Sequence, residues 1–266
     1  MMSRNVLIVG AAHGIGKYSL HLLAKAGFTP YVIDRDESAV SHLTDAAESF
    51  AIDLQDRVAV HSLVKNFRLR GLRFHAVVIT AGVHSTHPIE FLPDEVIDNV
   101  IAVNFAAHAK FVRDIVPLVE AQGRIVGVSS IGATVGLPMS SVYSASKAAL
   151  EVFYESLATE MRRSSIFAVI IQPGNVNTGF NETGNNFTSG GDEETKQDYQ
   201  NIIAKIDSSL GMSPNKVARA ILKAVTVRSP RLCYVVGINA LKAYLARRIL
   251  GRHITVALLR RHFDID

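Results

Sequence analysis

The chain has 266 residues, 48% of them apolar, which is enough to bury a sizeable core without disulfides or metal staples. Its one cysteine, Cys233, excludes an intramolecular disulfide and fits a reducing, cytoplasmic setting in which the thiol is buried and inert. The net charge of +4 hides a split, with 11 Lys/Arg against 2 Asp/Glu from Ser213 onward and 17 against 22 before it, and no stretch approaches the roughly 18 uncharged apolar residues of a spanning helix.

NVLIVG (5–10) reads as a buried strand, too short and too soon broken by glycine for a signal-peptide core. Gly10-x-x-x-Gly14-x-Gly16 follows directly and leads into GKYSLHLLAKAG (16–27), whose Leu20, Leu23 and Ala24 recur at helical spacing before Gly27 stops the helix. Glycines at such a turn let the backbone approach a pyrophosphate, and the helix N-terminus adds unpaired N–H groups and partial positive charge. Gly10, His13, Gly14, Ile15 and Gly16 are therefore candidate cofactor contacts. The spacing is not the GxGxxG of the commonest dinucleotide fingerprint, and glycines also occur at such turns for packing.

TPYVID (29–34) is a second strand that ends on Asp34, 18 residues after Gly16. A carboxylate there accepts from ribose hydroxyls and repels a 2′-phosphate, so NAD is the preferred cofactor. Arg35 and His13 keep NADP open, since either can meet a phosphate. HAVVIT (75–80), GRIVGVSS (123–130), FAVIIQPG (167–174) and LCYVVG (232–237) are further strands buried on both faces. Their alternation with helical segments predicts an α/β fold: one domain, 1–266, with a Rossmann-type, doubly wound parallel sheet and helices on both faces.

Tyr143-Ser-Ala-Ser-Lys147 opens a strongly helical stretch, so the phenol and the ammonium share a face. A free phenol titrates near about 10, and a cation beside it favours the phenolate, giving a base able to exchange a proton with an alcohol. A surface Tyr/Lys pair would show the same spacing, so its company matters. Ser130 ends the strand GRIVGVSS, at the carboxyl edge where ligands bind in open sheets, and can donate to a developing alkoxide. Strand alternation aims Ser129 the other way. Asn104, in VIAVNFAAH, is a polar residue inside an apolar helical pattern; it needs buried partners or serves to bend the helix.

The glycine trio, Asn104, Ser130 and Tyr143-x-x-x-Lys147, in this order, resemble the short-chain dehydrogenase/reductase family in its compact single-domain branch, over Asn5 to about Gly237. The resemblance implies a seven-stranded sheet and a catalytic tetrad. Tyr143 would be the general acid/base, Lys147 its pKa-lowering and ribose-binding cation, Ser130 the substrate-oxygen orienter and Asn104 the anchor of a proton-relay water. It further implies that Asp53 and Leu54 contact adenine, that Ala81-Gly82 closes the turn after the fourth strand, and that Pro173, Gly174, Val176 and Thr178 meet the nicotinamide carboxamide. Two positions depart from the pattern: Val9 replaces a threonine that ties the glycine turn, and Ile79-Thr80 replaces a pair of asparagines.

Residues 179–212 read as a polar substrate loop or lid, and 238–266 as a basic, apolar C-terminal extension. The extension suits pocket or subunit packing better than membrane-surface contact, and no aromatic-interleaved basic groove points to nucleic acid. His84 and His87 lack the further ligands of a metal site and read as polar loop residues near the cleft. The expected activity is NAD(P)-dependent interconversion of an apolar secondary alcohol and its ketone, in a homodimer or homotetramer by resemblance. The rival readings are a catalytically silent dinucleotide sensor or scaffold, and an NAD-retaining epimerase or dehydratase.

Overall fold

The computed structural model describes residues 4–180, 184–188, 190–208 and 211–265. Seven strands form one all-parallel sheet: β1 (Asn5–Val9), β2 (Thr29–Asp34), β3 (Glu48–Ala51), β4 (Phe74–Ile79), then, after a two-residue β5 (Ser85–Thr86), β6 (Val119–Val128) and β7 (Phe167–Pro173). A two-residue β8 (Asn185–Asn186) pairs only with β5, and β9 (Cys233–Val236) completes the sheet. The spatial order β3-β2-β1-β4-β6-β7-β9 reverses direction between β1 and β4. That reversal opens a crevice at the carboxyl ends of these strands, where an α/β sheet binds ligands.

Side-chain alternation sorts the apolar runs onto two faces. Leu7, Val9, Val77, Ile79 and Ile125 turn toward α3 (Arg57–Leu69), α5 (His108–Ile115) and α6 (Ser141–Glu160). Val6, Ile8, Ala76, Val78 and Val126 turn toward α1 (Gly14–Lys25) and α8 (Pro214–Thr226). Burial on both faces is why these strands read as continuous apolar runs rather than alternating ones. β3 escaped that reading. It is an edge strand of sequence ESFA, half exposed, with only β2 beside it, so it carries no apolar run.

Smaller elements set local geometry. α2 (Glu37–Val40) is a single turn capped by Asp36, whose carboxylate accepts from Ala39 N. α4 (Asp94–Ile101) runs into α5 through a π-helical segment, Ala102–Ala107, which contains Asn104. The 179–212 region is more ordered than a polar loop: besides β8 it holds α7 (Glu193–Ser208), anchored by buried Phe187 and Ile202. Phe187 packs edge-on to Tyr199 and against Phe91. Positions 181–183, 189, 209 and 210 of the expected lid lie outside the described residues. The C-terminal extension is α9 (Ile238–Phe263), broken at Gly251, whose φ of 74° is not helical.

α6 seats on β6 with almost no clearance. A Cβ on Gly127 would stand 2.5 Å from Tyr154 Cζ, so only glycine lets the Tyr154 ring approach the strand this closely. The Tyr154 hydroxyl and His108 Nε2 are hydrogen-bonded at 2.9 Å in full burial. Burial pulls His108 down to about 3, so the imidazole is neutral and the pair carries no charge. Gly127→Ala should destabilise the protein by about 1–3 kcal/mol, because the added methyl displaces Tyr154 from a packed site. Urea unfolding monitored by circular dichroism measures this; unchanged stability would show that α6 is free to move off the strand.

Candidate active site

All the expected catalytic and cofactor-contacting residues except Asn104 line one cleft of about 580 Å³ at the carboxyl edge of the sheet. Its nucleotide end is built on the β1–α1 turn. Gly10 (φ 87°) and Gly14 (φ 47°) take left-handed conformations that favour glycine. Gly16 is packed closer still: a Cβ there would fall 1.9 Å from the Gly10 carbonyl oxygen. No side chain caps the N-terminus of α1, so its first-turn N–H groups face the cleft as an anion site would require.

The missing hydroxyl at Val9 is supplied from the neighbouring strand. Thr80 Oγ1 donates toward the carbonyls of Val9 at 3.0 Å and Gly10 at 2.8 Å, one proton shared between two acceptors. The two departures from the family pattern thus compensate each other across the β1–β4 switch point.

At the adenosine end, Asp34 Oδ2 accepts from Ala12 N at 2.8 Å and Oδ1 from Asp36 N at 3.1 Å, which fixes the carboxylate while leaving lone pairs toward the cleft. Asp36 is a second carboxylate that the sequence reading passed over. It is paired with His13 at 2.8 Å, and hydrogen bonds from Ala39 N, His13 and Ser38 hold it well below the usual range. His13 is thereby turned to Asp36, while Arg35 remains exposed on the cleft wall. An Asp two residues past the strand end was the available signal. Asp53, Leu54 and Ile52 line the same end, with Asp53 Oδ1 accepting from Gln55 N.

At the other end stand Ser130, Tyr143 and Lys147, all buried. Ser130 lies just past β6 in extended backbone, and its Oγ accepts from Gly132 N at 3.1 Å. Burial pushes the Tyr143 phenol up, and a hydrogen bond with Ser130 acts against that rise. In the fold, then, the contact favouring the phenolate comes from Ser130. Lys147 Nζ stands 5.8 Å from the Tyr143 ring centroid and donates to Val128 O at 3.1 Å. Burial pulls this ammonium down to about 8. Ser129 faces away, as strand alternation requires, and donates to Glu151 Oε1 at 2.8 Å.

Asn104 stands just behind the cleft. Its Oδ1 accepts from Val83 N at 2.8 Å, and its Nδ2 donates to Val83 O at 2.9 Å and Ser146 Oγ at 3.0 Å. The amide thus pins the segment following Ala81-Gly82 to α6, with two of its hydrogen bonds made to the Val83 backbone and one to the Ser146 hydroxyl. A Cβ on Gly82 would lie 3.1 Å from Asn104 Oδ1 and 3.3 Å from Lys147 Nζ, so a side chain there would crowd both groups. Thr178 closes over the glycine turn, its Cβ 3.1 Å from where a Gly14 Cβ would be, and its Oγ1 accepts from Phe180 N. Pro173, Gly174 and Val176 line the wall beside it.

The space beside Tyr143 is largely apolar or aromatic. His84 packs edge-on to Tyr143 at 4.5 Å between centroids, and Phe180 lies against both rings. Burial, and to a lesser extent Lys147, pulls His84 down to about 4, so it is a neutral wall. Leu137 and, from the end of α9, Phe263 complete that side. His87 is buried away from this cleft against Phe187. Among the described residues no three His, Cys, Asp or Glu side chains are grouped to hold a metal ion. Cys233 is half-buried, its thiol pushed up to about 12 by burial and by Glu151 and Glu155.

The chain is similar to known proteins in sequence and in fold. A family model described as short chain dehydrogenase matches residues 4–188. Among curated relatives, 3-ketodihydrosphingosine reductase of Bacteroides thetaiotaomicron is 28% identical over 236 residues, covering 86% of each chain. Estradiol 17-beta-dehydrogenase 2 of Mus musculus is 30% identical over 261 residues, covering 87% of this chain and 68% of that one. Among solved structures, a short-chain dehydrogenase from Streptomyces avermitilis superposes with a TM-score of 0.82 at 23% identity, covering 98% of this chain and 96% of that one. Two Burkholderia enzymes superpose at 0.78: that of B. cenocepacia holds NADP (20% identity, 97% and 99% coverage) and that of B. phymatum holds NAD (21%, 96% and 95%).

The depressed Lys147 has a consequence for stability. Between about pH 8 and the ordinary lysine value the unfolded chain holds a proton that the folded chain has released, so stability rises with pH. Relative to Lys147→Met, the wild-type chain should gain stability from pH 8 to 10, by at most about 1.4 kcal/mol per unit. Paired thermal melts across that window test it; a constant difference would mean the ammonium is hydrated.

Proposed function

The chain belongs to the short-chain dehydrogenase/reductase family of NAD(P)-linked oxidoreductases, and on that premise we propose that it interconverts a secondary alcohol and its ketone, with Tyr143 as general acid/base. The observation that carries this is the gathering of buried Ser130, Tyr143 and Lys147 at one end of a cleft whose other end is the glycine turn, with Lys147 Nζ 5.8 Å from the Tyr143 ring centroid. The uncapped α1 N-terminus and the glycine turn, which carries no side chain at Gly10, Gly14 or Gly16, suit a dinucleotide's pyrophosphate, with Thr178 and Lys147 available to its nicotinamide half. A bound nicotinamide cofactor supplies or accepts the hydride.

The protein's own groups handle the oxygen. In reduction, Tyr143 gives its phenolic proton to the carbonyl oxygen as the carbon gains hydride; in oxidation it takes that proton back. Ser130 donates to the same oxygen and holds it at Tyr143. Lys147, charged at neutral pH, stabilises the phenolate that proton loss leaves. Asn104 positions this set by tying the Gly82–Val83 backbone to α6.

NAD is the preferred cofactor on this reading, because Asp34 lines the adenosine end of the cleft as a carboxylate that would repel a 2′-phosphate, with the Asp36 carboxylate two residues on adding negative charge nearby. The substrate is an apolar, lipid-like alcohol or ketone, a choice supported by the wall of Leu137, Phe180 and Phe263. It is supported too by the relatives named for a sphingoid ketone and a steroid. The loop with α7, and the end of α9, would shape that pocket.

Two measurements test this. Tyr143→Phe should lower kcat by about 10²–10⁴-fold, followed through reduced-nicotinamide absorbance against a panel of long-chain and steroid ketones. Wild-type kcat in that variant would remove Tyr143 from the reaction. Asp34→Ala should weaken NAD and relatively favour NADP, shifting the affinity ratio about tenfold or more. A wild-type chain that binds NADP more tightly would sink the role given to both carboxylates.

A further inference from the structure

The surface of α9 is inverted. Ile238, Leu241, Leu245 and Ile249 recur at spacings of three, four and four, so they form one stripe. That stripe points outward, with Ile238 72% and Ile249 75% exposed and Leu241 and Leu245 close to half exposed. The inward side is made of small or scattered residues such as Ala240 and Thr255. Beyond the break at Gly251, Ile254, Val256 and Leu258 are again exposed. A helix packed on a globular domain ordinarily shows the reverse arrangement.

Charge selects the occupant of this face. Residues 238–263 hold six Lys/Arg (Lys242, Arg247, Arg248, Arg252, Arg260 and Arg261) and no Asp or Glu. On a helical wheel, Lys242 and Arg248 fall on opposite flanks of the apolar stripe. A second copy seated here would bring two such basic faces together with no acid between them. An anionic bilayer offers acyl chains to the stripe and phosphate and carboxylate headgroups to its flanks.

We infer that α9 docks this protein in-plane on anionic phospholipid membranes, its apolar stripe at the acyl boundary and its arginines among the headgroups. The helix lies on the surface: among the described residues no helix is long and apolar enough to cross a membrane. Phe263 and His262, at the end of α9, line the cleft, so the docked helix sets the cleft's outer wall near the lipid surface. The docking stands on surface chemistry alone and does not depend on the reaction proposed above.

The test uses the full chain with vesicles of phosphatidylcholine alone, or with about 30% phosphatidylserine. The wild-type protein should co-sediment with the anionic vesicles at least about tenfold more strongly than with the neutral ones, and lose binding as salt rises from about 0.1 M to about 1 M. The combined Leu241→Ser, Leu245→Ser and Ile249→Ser variant should lose about tenfold or more in binding while keeping its melting temperature, since these side chains are exposed. The chain has no tryptophan, so Leu245→Trp gives one clean emission band, which should shift to the blue only with anionic vesicles. Equal binding to both vesicles, or to neither, overturns the inference. So does a dimer in light scattering that the triple variant splits, for then a second copy covers the stripe.

Discussion

The seating of α6 on the carboxyl end of β6 positions the proton-handling groups. Tyr143 and Lys147 share one helix face with Glu151 and, three residues on, Tyr154, so the closeness of that helix to the strand determines where each stands. Gly127 removes the side chain that would hold the helix away. Lys147 Nζ then reaches Val128 O, while Ser129 and Gln172 both donate to Glu151 and bind the ends of β6 and β7 to the same helix. Burial raises Glu151 above its ordinary range, and those two donors offset the rise.

From that contact the rest of the site follows outward. Ser130 comes to Tyr143 because the strand before it is pinned. Asn104 comes to Ser146, on the same helix, and through Val83 it sets the course of the chain that leaves β4. The π-helical segment around Asn104 has a use here: one altered turn re-aims a single side chain without ending the helix. At the far end Thr80 ties the β1 turn to β4, so the glycine loop and the proton-handling groups are linked through adjacent strands of one sheet.

Neutrality is the electrical theme of the interior. His84 and His108 are both held uncharged by burial, and Lys147 lowers each further. The ammonium thus stands among groups that cannot compete with it as cations and do not neutralise it. Two outer regions carry charge of one dominant sign, the Asp34/Asp36 end of the cleft and the basic face of α9. These are the places where ligand and surface would be selected by sign.

Much of the architecture is written in short-range spacing. Apolar runs separated by helical periods specify strands and helices, Gly10, Gly14 and Gly16 specify the turn, and Tyr143 and Lys147 share a face by helical pitch alone; each depends on residues a few positions apart. Position in the fold had to decide the remainder. β3 is a strand because β2 offers it an edge, and its own pattern is too short and polar to announce it. Thr80 replaces the lost hydroxyl of Val9 from 71 positions away, and Asn104 spends its amide on Val83 and Ser146. Within the 179–212 region, α7 (Glu193–Ser208) settled where Phe187 and Ile202 found a surface to bury against. The direction in which the leucines and isoleucines of α9 face was likewise undetermined by their spacing. Periodicity says that such residues share a side of a helix, and only packing against the body of the protein determines which side remains outside.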